Sequence, residues 1–221
     1  MIKLKIEHHF KTTSHDLEGL FNNTNKLSTF MNKLENQSIL HPERYVPNTY
    51  LGDGFEFLME IFIKSRETDE RIGISNYKPV KTHDIGVDGL GINMSGDKCV
   101  VQHKYKANTQ TLLTITSDHL SNMFSAAQTS YGVSTILSEK ENLEKLFREK
   151  LIAKTKYDKK IKQLNNSVKR HYVFTTAEGL HYFTDSEMFN DQVVCYGYKD
   201  LRTMLDNNQS FWNLCRTLIK E

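Results

Sequence analysis

Two neighbouring stretches of the chain combine acidic, amide and basic side chains in a pattern suited to phosphodiester chemistry. The first covers residues 83–91 and contains Asp88, and the second covers residues 98–106 and contains Gln102 and Lys104. Both alternate between apolar and polar residues, which is typical of strands, and a short turn-forming patch separates them. Side chains two positions apart share one face of a strand, so Gln102 and Lys104 emerge side by side. The sequence therefore predicts a hairpin with a carboxylate, an amide and an ammonium group close together.

The loop of this hairpin decides whether Asp88 can work with the other two residues. Directly opposed residues of antiparallel strands share a face of the sheet. A two-residue loop would place Asp88 opposite His103, on the wrong face. An odd-length loop, or a β-bulge at one of the glycines of the first strand, would instead bring Asp88 beside Gln102 or Lys104.

These side chains suit a site for Mg²⁺, with Mn²⁺ as the expected substitute. Phosphodiester hydrolysis needs a divalent ion to neutralise developing charge and to deliver a water or hydroxide, and Mg²⁺ binds through few carboxylates. Asp88 is expected to be the anionic ligand, helped by the amide oxygen of Gln102 and the backbone carbonyl of His103. Lys104 would orient the attacking water or stabilise the pentavalent phosphate. The side chain of His103 faces the core side of its strand and is expected to be structural.

A second carboxylate is expected from an amphipathic helix that starts near Gly52 and runs to about Ser65. Its apolar residues have helical spacing, and Glu56 lies at the edge of the apolar stripe. Glu56 would restore the negative charge that a glutamine in place of an acid removes. Asp53 with Glu56 three residues later also resembles a capping arrangement, so a structural role for Glu56 stays open. Asp84 is expected to orient the ligands rather than to bind the ion.

The charge distribution along the chain indicates a polyanionic partner. The 221 residues carry a formal net charge of +2. Between residues 145 and 170, however, ten Lys or Arg side chains stand against two acidic ones. A basic segment on a mildly acidic body is expected where a protein meets polyphosphate, although a solvated helix face would have the same composition. The candidate nucleic-acid-binding residues are Lys106, Lys150, Lys154, Lys156, Lys159, Lys160, Lys162, Lys169 and Arg170.

Strands alternate with helices along the rest of the chain, which predicts an α/β sandwich with a mixed sheet. Three cysteines without metal-ligand spacing and the lack of an apolar run of membrane length favour a soluble, cytoplasmic protein. The predicted elements are one or two short helices in residues 1–50, a strand near 71–80, a helix at 117–130, a strand at 132–137, one long or two broken helices in a basic insertion at about 138–170, strands at 171–176 and 192–196, and closing helices anchored by Phe211 and Trp212.

Three of these motifs, in this order, resemble the PD-(D/E)XK nuclease superfamily. They are Gly52-x-Gly54-Phe55-Glu56, Asp84-x-Gly86-Val87-Asp88 and Val101-Gln102-x-Lys104. The chain is most similar to the Mrr-like restriction branch, in which a glutamine replaces the usual second acid, and the resemblance covers roughly residues 50–106. The later run Tyr172-Val-Phe-Thr-Thr also resembles the strand that follows these motifs in that branch.

The resemblance implies a restriction-endonuclease-like domain over residues 51–221, with a mixed β-sheet flanked by helices. The N-terminal helical segment at 1–50 and the basic helical insertion at about 138–170 are predicted from the residues alone. The resemblance also implies a divalent-metal-dependent DNA endonuclease, commonly a homodimer so that both strands are cut. Restriction, homing and phage DNA processing are the settings to be expected. The first fifty residues and the basic insertion depart from the family pattern and leave the target open.

Other functions remain compatible with the same residues. Asp88 and Lys104 would also suit a cross-strand ion pair of small energetic weight. A non-catalytic DNA-binding module could keep the fold, because Gln102 weakens the acidic pair. A structure-selective enzyme such as a junction resolvase, or an RNA nuclease, would use the same chemistry on another substrate.

Overall fold

The computed structural model describes the chain over residues 4–13, 16–80, 87–115, 142–164, 170–182 and 193–220. Its helices are α1 (Phe10–Thr13), α2 (Leu17–Phe21), α3 (Leu27–Leu40), α4 (Pro47–Lys64), α5 (Lys154–Leu164), α6 (Tyr198–Leu205) and α7 (Gln209–Leu218). Its strands are β1 (Ser75–Pro79), β2 (Gly89–Ile92), β3 (Lys98–Lys104), β4 (Leu113–Ile115), β5 (Arg170–Thr175), β6 (Leu180–Tyr182) and β7 (Val193–Tyr196).

Five of the strands form one mixed sheet in the order β1-β2-β3-β5-β7. β1, β2 and β3 pair antiparallel, whereas β5 pairs parallel with both β3 and β7. The two short strands β4 and β6 form a separate parallel pair. The fold is thus mixed α/β, with helices before and after the sheet, and the prediction of an α/β chain with a mixed sheet is confirmed.

The helix α4 lies at the centre of the core. It begins with Pro47 in its first turn, where a missing backbone amide costs no intrahelical hydrogen bond, and this start lies earlier than the apolar pattern alone predicts. Its buried residues cover most of its circumference, which is typical of a helix covered on nearly all sides. α3 packs on one side of it, and β1 and β3 pack on another. The boundary predicted at residue 50 falls inside this helix.

The helices near the two ends of the chain pack in the same core. Trp212 of α7 lies against Phe21 of α2 and Phe30 of α3, with ring centroids 6.4 Å apart in both pairs. The N-cap side chain of α3 accepts no backbone amide of the first turn. The Asp206 carboxylate at the end of α6 takes this role, because it accepts the Leu27 amide at 2.9 Å. The prediction that Trp212 anchors the core is confirmed.

The basic insertion contains two separate helical stretches in its described part, at 142–148 and in α5. The rings of Phe147 and Tyr157 stack between them, with centroids 4.5 Å apart. The helix predicted at 117–130 and the strand predicted at 132–137 lie outside the described residues. None of the described helices is long and apolar enough to cross a membrane.

Two glycines of α4 provide a matched test of how closely α3 packs against it. A Cβ on Gly54 would lie 2.5 Å from Leu34 Cδ1 and 3.1 Å from Phe10 Cζ, whereas a Cβ on Gly52 would meet nothing within 4 Å. We expect Gly52→Ala to stabilise the fold by up to about 1 kcal/mol, because alanine favours helix. Gly54→Ala should destabilise it by about 1–3 kcal/mol through overpacking. Thermal unfolding followed by circular dichroism measures both variants, and equal shifts would contradict this close packing.

Candidate active site

The β2–β3 hairpin has a loop of odd length. Ile92 pairs with Lys98, so residues 93–97 form the loop. Gly96 has a φ of +78°, a left-handed conformation that glycine adopts without steric cost. The last regular partners of the hairpin are Gly89 and Val101, so Asp88 lies just before the regular pairing. The loop is therefore of the odd length that the sequence analysis considers.

Regular pairing ends at Asp88. Gly89 is the partner of Val101, yet the Asp88 amide also donates to the Val101 carbonyl at 2.9 Å. Two residues of one arm therefore face one residue of the other, as in a β-bulge. Asp88 Oδ2 in turn accepts the backbone amide of His103 at 2.6 Å. This charge-assisted hydrogen bond fixes the carboxylate on β3, so its position does not follow from strand alternation alone.

Tyr77 is buried against Gly89, the residue that follows Asp88. A Cβ on Gly89 would lie 2.4 Å from the Tyr77 hydroxyl oxygen and 2.3 Å from its Cε2, so only glycine leaves room for the ring. Burial raises the pKa of Tyr77 well above its usual range, and the negative charges of Asp88, Glu60 and Glu56 add to the rise. The phenol is therefore neutral and does not compensate the acidic groups around it.

Asp88 and Glu56 form a pair of carboxylates without a full complement of donors. Burial raises the pKa of Asp88 to about 7, and the charge of Glu56 adds to this rise, whereas the His103 amide and the Lys104 charge oppose it. One oxygen of each carboxylate has a donor. Asp88 Oδ2 accepts the backbone amide of His103, and Glu56 Oε2 lies 3.3 Å from the ring of His8. Among the described residues, nothing donates to Asp88 Oδ1 or Glu56 Oε1.

This donor set suits a small divalent cation. Mg²⁺ typically takes one or two carboxylates and keeps several waters. Asp88 and Glu56 provide two carboxylates whose mutual repulsion a cation would relieve. Within the described ranges, no group of three or more His, Cys, Asp or Glu side chains is placed to hold a metal ion. A cation here would therefore depend on this pair, on neutral oxygens and on water.

Lys104 and Gln102 lie on β3 next to the carboxylate pair. Lys104 is exposed, and its charge reaches Asp88, but in the described part of the chain no ion pair joins the two. A simple cross-strand ion pair is therefore not what the structure contains. Gln102 is 9% exposed, and its amide makes no hydrogen bond with any described residue. Its part in the site stays a prediction, as does that of the His103 carbonyl.

The His103 side chain lies in the core, on the side of its strand that the sequence predicts. It is buried, with ring centroids 6.4 Å from those of Phe55 and Tyr77 and 5.9 Å from that of Phe174. Burial lowers its pKa to about 3, and nearby positive charges add to this, so the ring is neutral. Neither ring nitrogen has a hydrogen-bond partner among the described residues.

The capping role considered for Asp53 and Glu56 is wrong. Both residues lie in the interior of α4, because this helix begins at Pro47 rather than beside them. The Asp53 carboxylate instead faces the N-terminal segment, where its Oδ2 lies 3.0 Å from Nε2 of His9.

The N-terminal segment contributes residues that no sequence motif identifies. Glu60 is fully buried in α4, and its two oxygens accept the backbone amides of Glu7 and His8, each at 2.9 Å. Lys64 Nζ lies 2.7 Å from the same carboxylate. In the sequence, Glu60 is the one residue that indicates this packing, because an acidic residue inside an apolar helix needs buried partners.

The basic residues are accessible where the structure describes their side chains. Lys160 and Lys162 belong to α5, and Asp84 and Lys169 lie outside the described residues. The exposed candidates are Lys106, Lys150, Lys154, Lys156, Lys159 and Arg170.

A surface cavity of about 410 Å³ lies at the other end of α4, between Ser65 and α7. Its charged lining residues, Arg66 and Asp69, pair with each other at 2.8 Å. This cavity therefore lacks the uncompensated charge found at Asp88.

Comparisons with protein-family models, with curated proteins and with solved structures find no match for this chain. Its function is therefore inferred from the fold and from the geometry around Asp88 and Glu56.

Asp88 should make stability fall as pH rises. Its pKa is about 7 in the fold against an ordinary value of 3.8. Between these values the folded chain holds a proton that the unfolded chain releases, so stability decreases from about pH 4 to about pH 7. Asp88→Asn keeps an oxygen for the His103 amide and carries no charge. In metal-free buffer we expect the free energy of unfolding of this variant to exceed that of the wild type by about 1–3 kcal/mol at pH 8 and to equal it at pH 4. Urea unfolding measures both values.

Asp69 provides a control of opposite sign. Burial opposes the shift, but hydrogen bonds from the Arg71 amide and the Arg66 side chain lower the pKa of Asp69. Its contribution to stability is thus present above the ordinary pKa, and Asp69→Asn should lose stability at pH 8. If Asp88→Asn and Asp69→Asn respond alike, the assignment of an uncompensated charge to Asp88 is wrong.

Proposed function

We propose that this protein is a divalent-metal-dependent DNA endonuclease with a restriction-endonuclease-like core. The observation that carries the proposal is the pair Asp88 and Glu56, in which each carboxylate has one fixed oxygen and one without a donor among the described residues. The exposed ammonium of Lys104 beside the pair adds to it. The mixed sheet with α4 packed on β1 and β3 agrees with the fold that the PD-(D/E)XK resemblance implies.

In this proposal Asp88 and Glu56 hold Mg²⁺ or Mn²⁺, with Gln102 and the His103 carbonyl as further oxygen donors. The ion supplies charge neutralisation and a water activated for attack. Lys104 stabilises the negative charge that develops on the phosphate. Asp84 orients the donor groups. The buried Tyr77 beside Gly89 limits access of water next to Asp88, which keeps the electrostatic interactions there strong.

The basic segment would track the DNA backbone, positioning the substrate without reading its sequence. Its exposed lysines lie on a stretch whose charge is opposite to that of the phosphates. One site cuts one strand, so the proposal includes a homodimer for cleavage of duplex DNA.

Cleavage of supercoiled plasmid DNA tests the enzyme. We expect the wild type to nick and linearise the plasmid in Mg²⁺ or Mn²⁺ and to stop when the ion is chelated. Asp88→Asn and Lys104→Ala should each lower the rate by about 100-fold or more, because each removes a charge needed in the transition state. Lys26→Ala, which changes an exposed lysine at the start of α3, serves as the control and should cleave like the wild type.

The same experiment separates the alternatives. A wild type that binds DNA in a salt-dependent way but never cleaves it would identify a non-catalytic binding module. Preferred cleavage of branched DNA, or of RNA, over linear duplex would identify a structure-selective enzyme or an RNA nuclease.

The basic helix α5 has its own test. We expect the triple change of Lys154, Lys156 and Lys159 to Gln to weaken binding to duplex DNA irrespective of sequence. The slope of log K against log salt should fall by up to about 2.7, since each phosphate contact contributes about 0.9. Fluorescence anisotropy in a chelating buffer measures both quantities. An unchanged slope would mean that this face is merely solvated.

The matched control for this test changes three exposed lysines outside the basic segment. Lys26, Lys199 and Lys220 have this property, and their conversion to Gln changes the net charge by the same amount. We expect this control to keep most of the wild-type slope.

A further inference from the structure

We propose that His8 is a positioning residue for the carboxylate pair. It holds Glu56 by one oxygen, so that the other oxygen stays directed to a divalent cation shared with Asp88. This inference rests on the proposed metal site and makes the N-terminal segment part of it.

The backbone of His8 is fixed on α4 by Glu60. The Glu60 side chain is 0% exposed, and it accepts the amides of Glu7 and His8 at 2.9 Å each. Lys64 Nζ, at 2.7 Å, balances its charge. A buried carboxylate with these donors is well satisfied, and removing it would leave two amides unpaired. The segment is therefore held one helical turn away from Glu56.

The ring of His8 is fixed at both nitrogens. The Phe10 amide donates to Nδ1 at 3.2 Å, so Nδ1 is the acceptor in this ring. Nε2 is then the ring nitrogen that donates, and it lies 3.3 Å from Glu56 Oε2. Stacking on His9, with centroids 4.5 Å apart, and contact with Phe57 at 6.5 Å hold the ring plane. Only 7% of the side chain is exposed, so solvent competes weakly for this hydrogen bond.

The hydrogen bond from His8 fixes the orientation of the Glu56 carboxylate. The side chain of Glu56 is 27% exposed, and it repels Asp88, whose pKa it raises. Without the His8 donor, the Glu56 carboxylate would gain by turning into solvent, away from Asp88. Groups that hydrogen-bond to metal-binding residues fix their orientation, and removing such a group typically lowers metal affinity 10- to 100-fold.

The test is Mn²⁺ binding to the full chain without DNA, measured by isothermal titration calorimetry at pH 8. His8→Met keeps the approximate volume but has no donor, and we expect it to weaken Mn²⁺ binding about tenfold or more. His8→Gln places an amide nitrogen near the position of Nε2 and should stay within about threefold of the wild type. His181→Met is the control, since His181 is exposed on β6, outside the sheet that contains β2 and β3, and should bind like the wild type.

A second background shows whether His8 acts through Glu56. In Glu56→Gln, the change His8→Met should cause no further loss of Mn²⁺ affinity, because the two residues form one unit. An equal loss in both backgrounds would overturn the proposal, and so would wild-type affinity in His8→Met. If His8→Met does not fold, His8→Asn replaces it, since its amide reaches the position of Nδ1 but not that of Nε2.

The outcomes keep this inference apart from the proposed function. A wild type that binds Mn²⁺ through Asp88 but never cleaves DNA would overturn the nuclease and leave the role of His8 intact. A wild type that cleaves DNA, with unchanged Mn²⁺ affinity in His8→Met, would overturn the role of His8 alone.

Discussion

A helix that is covered on nearly all sides must supply its charged side chains with partners, and two of the three carboxylates of α4, Glu56 and Glu60, lie one turn apart. Glu60, the deeper one, is satisfied by the backbone of the N-terminal segment and by Lys64. Glu56, nearer the surface, has the ring of His8 as its one donor among the residues that the structure describes. The first carboxylate therefore fixes the fold of the N-terminal segment, while the second keeps one oxygen without a donor in the described part of the chain. Both effects follow from the same burial.

The Asp88 carboxylate of the hairpin interacts with Glu56 of this helix, and its charge is only partly compensated. The bulge at Asp88 allows its carboxylate to accept the His103 amide instead of leaving that position to backbone pairing. Glu56 then raises the pKa of Asp88, so the unliganded fold holds a carboxylate under conditions that oppose its ionisation. Perturbed carboxylates of this kind are concentrated at functional sites, where ligand binding offsets a cost to stability.

Local sequence signals predict most of the regular elements. Periodicity identifies α4, β3, β5 and the closing helices, because each buries a face that leaves a repeating apolar pattern. These signals do not predict the start of α4 at Pro47 or the three-residue strands β4 and β6. The former lies outside the apolar stripe, and the latter are too short to show alternation. Tertiary pairing rather than local preference forms such strands.

The candidate site is predictable only as far as local spacing reaches. Asp88, Glu56 and Lys104 follow from motif order and strand alternation, and the structure brings their charges within interaction range. His8 does not follow, since 48 residues separate it from Glu56 and its position depends on the burial of Glu60. The glycines make a β-bulge one of two predicted alternatives, but the sequence does not predict that the Asp88 carboxylate accepts the His103 amide, because this contact depends on tertiary geometry.

The placement of Trp212 gives the chain an intrinsic optical reporter. It is the single tryptophan of the sequence, is buried, and lies where α7 meets α2 and α3. Its emission therefore reports on the junction between the first and last helices and not on the carboxylate pair. Fluorescence changes on cation binding would mean that events at the hairpin propagate through α4 to that junction.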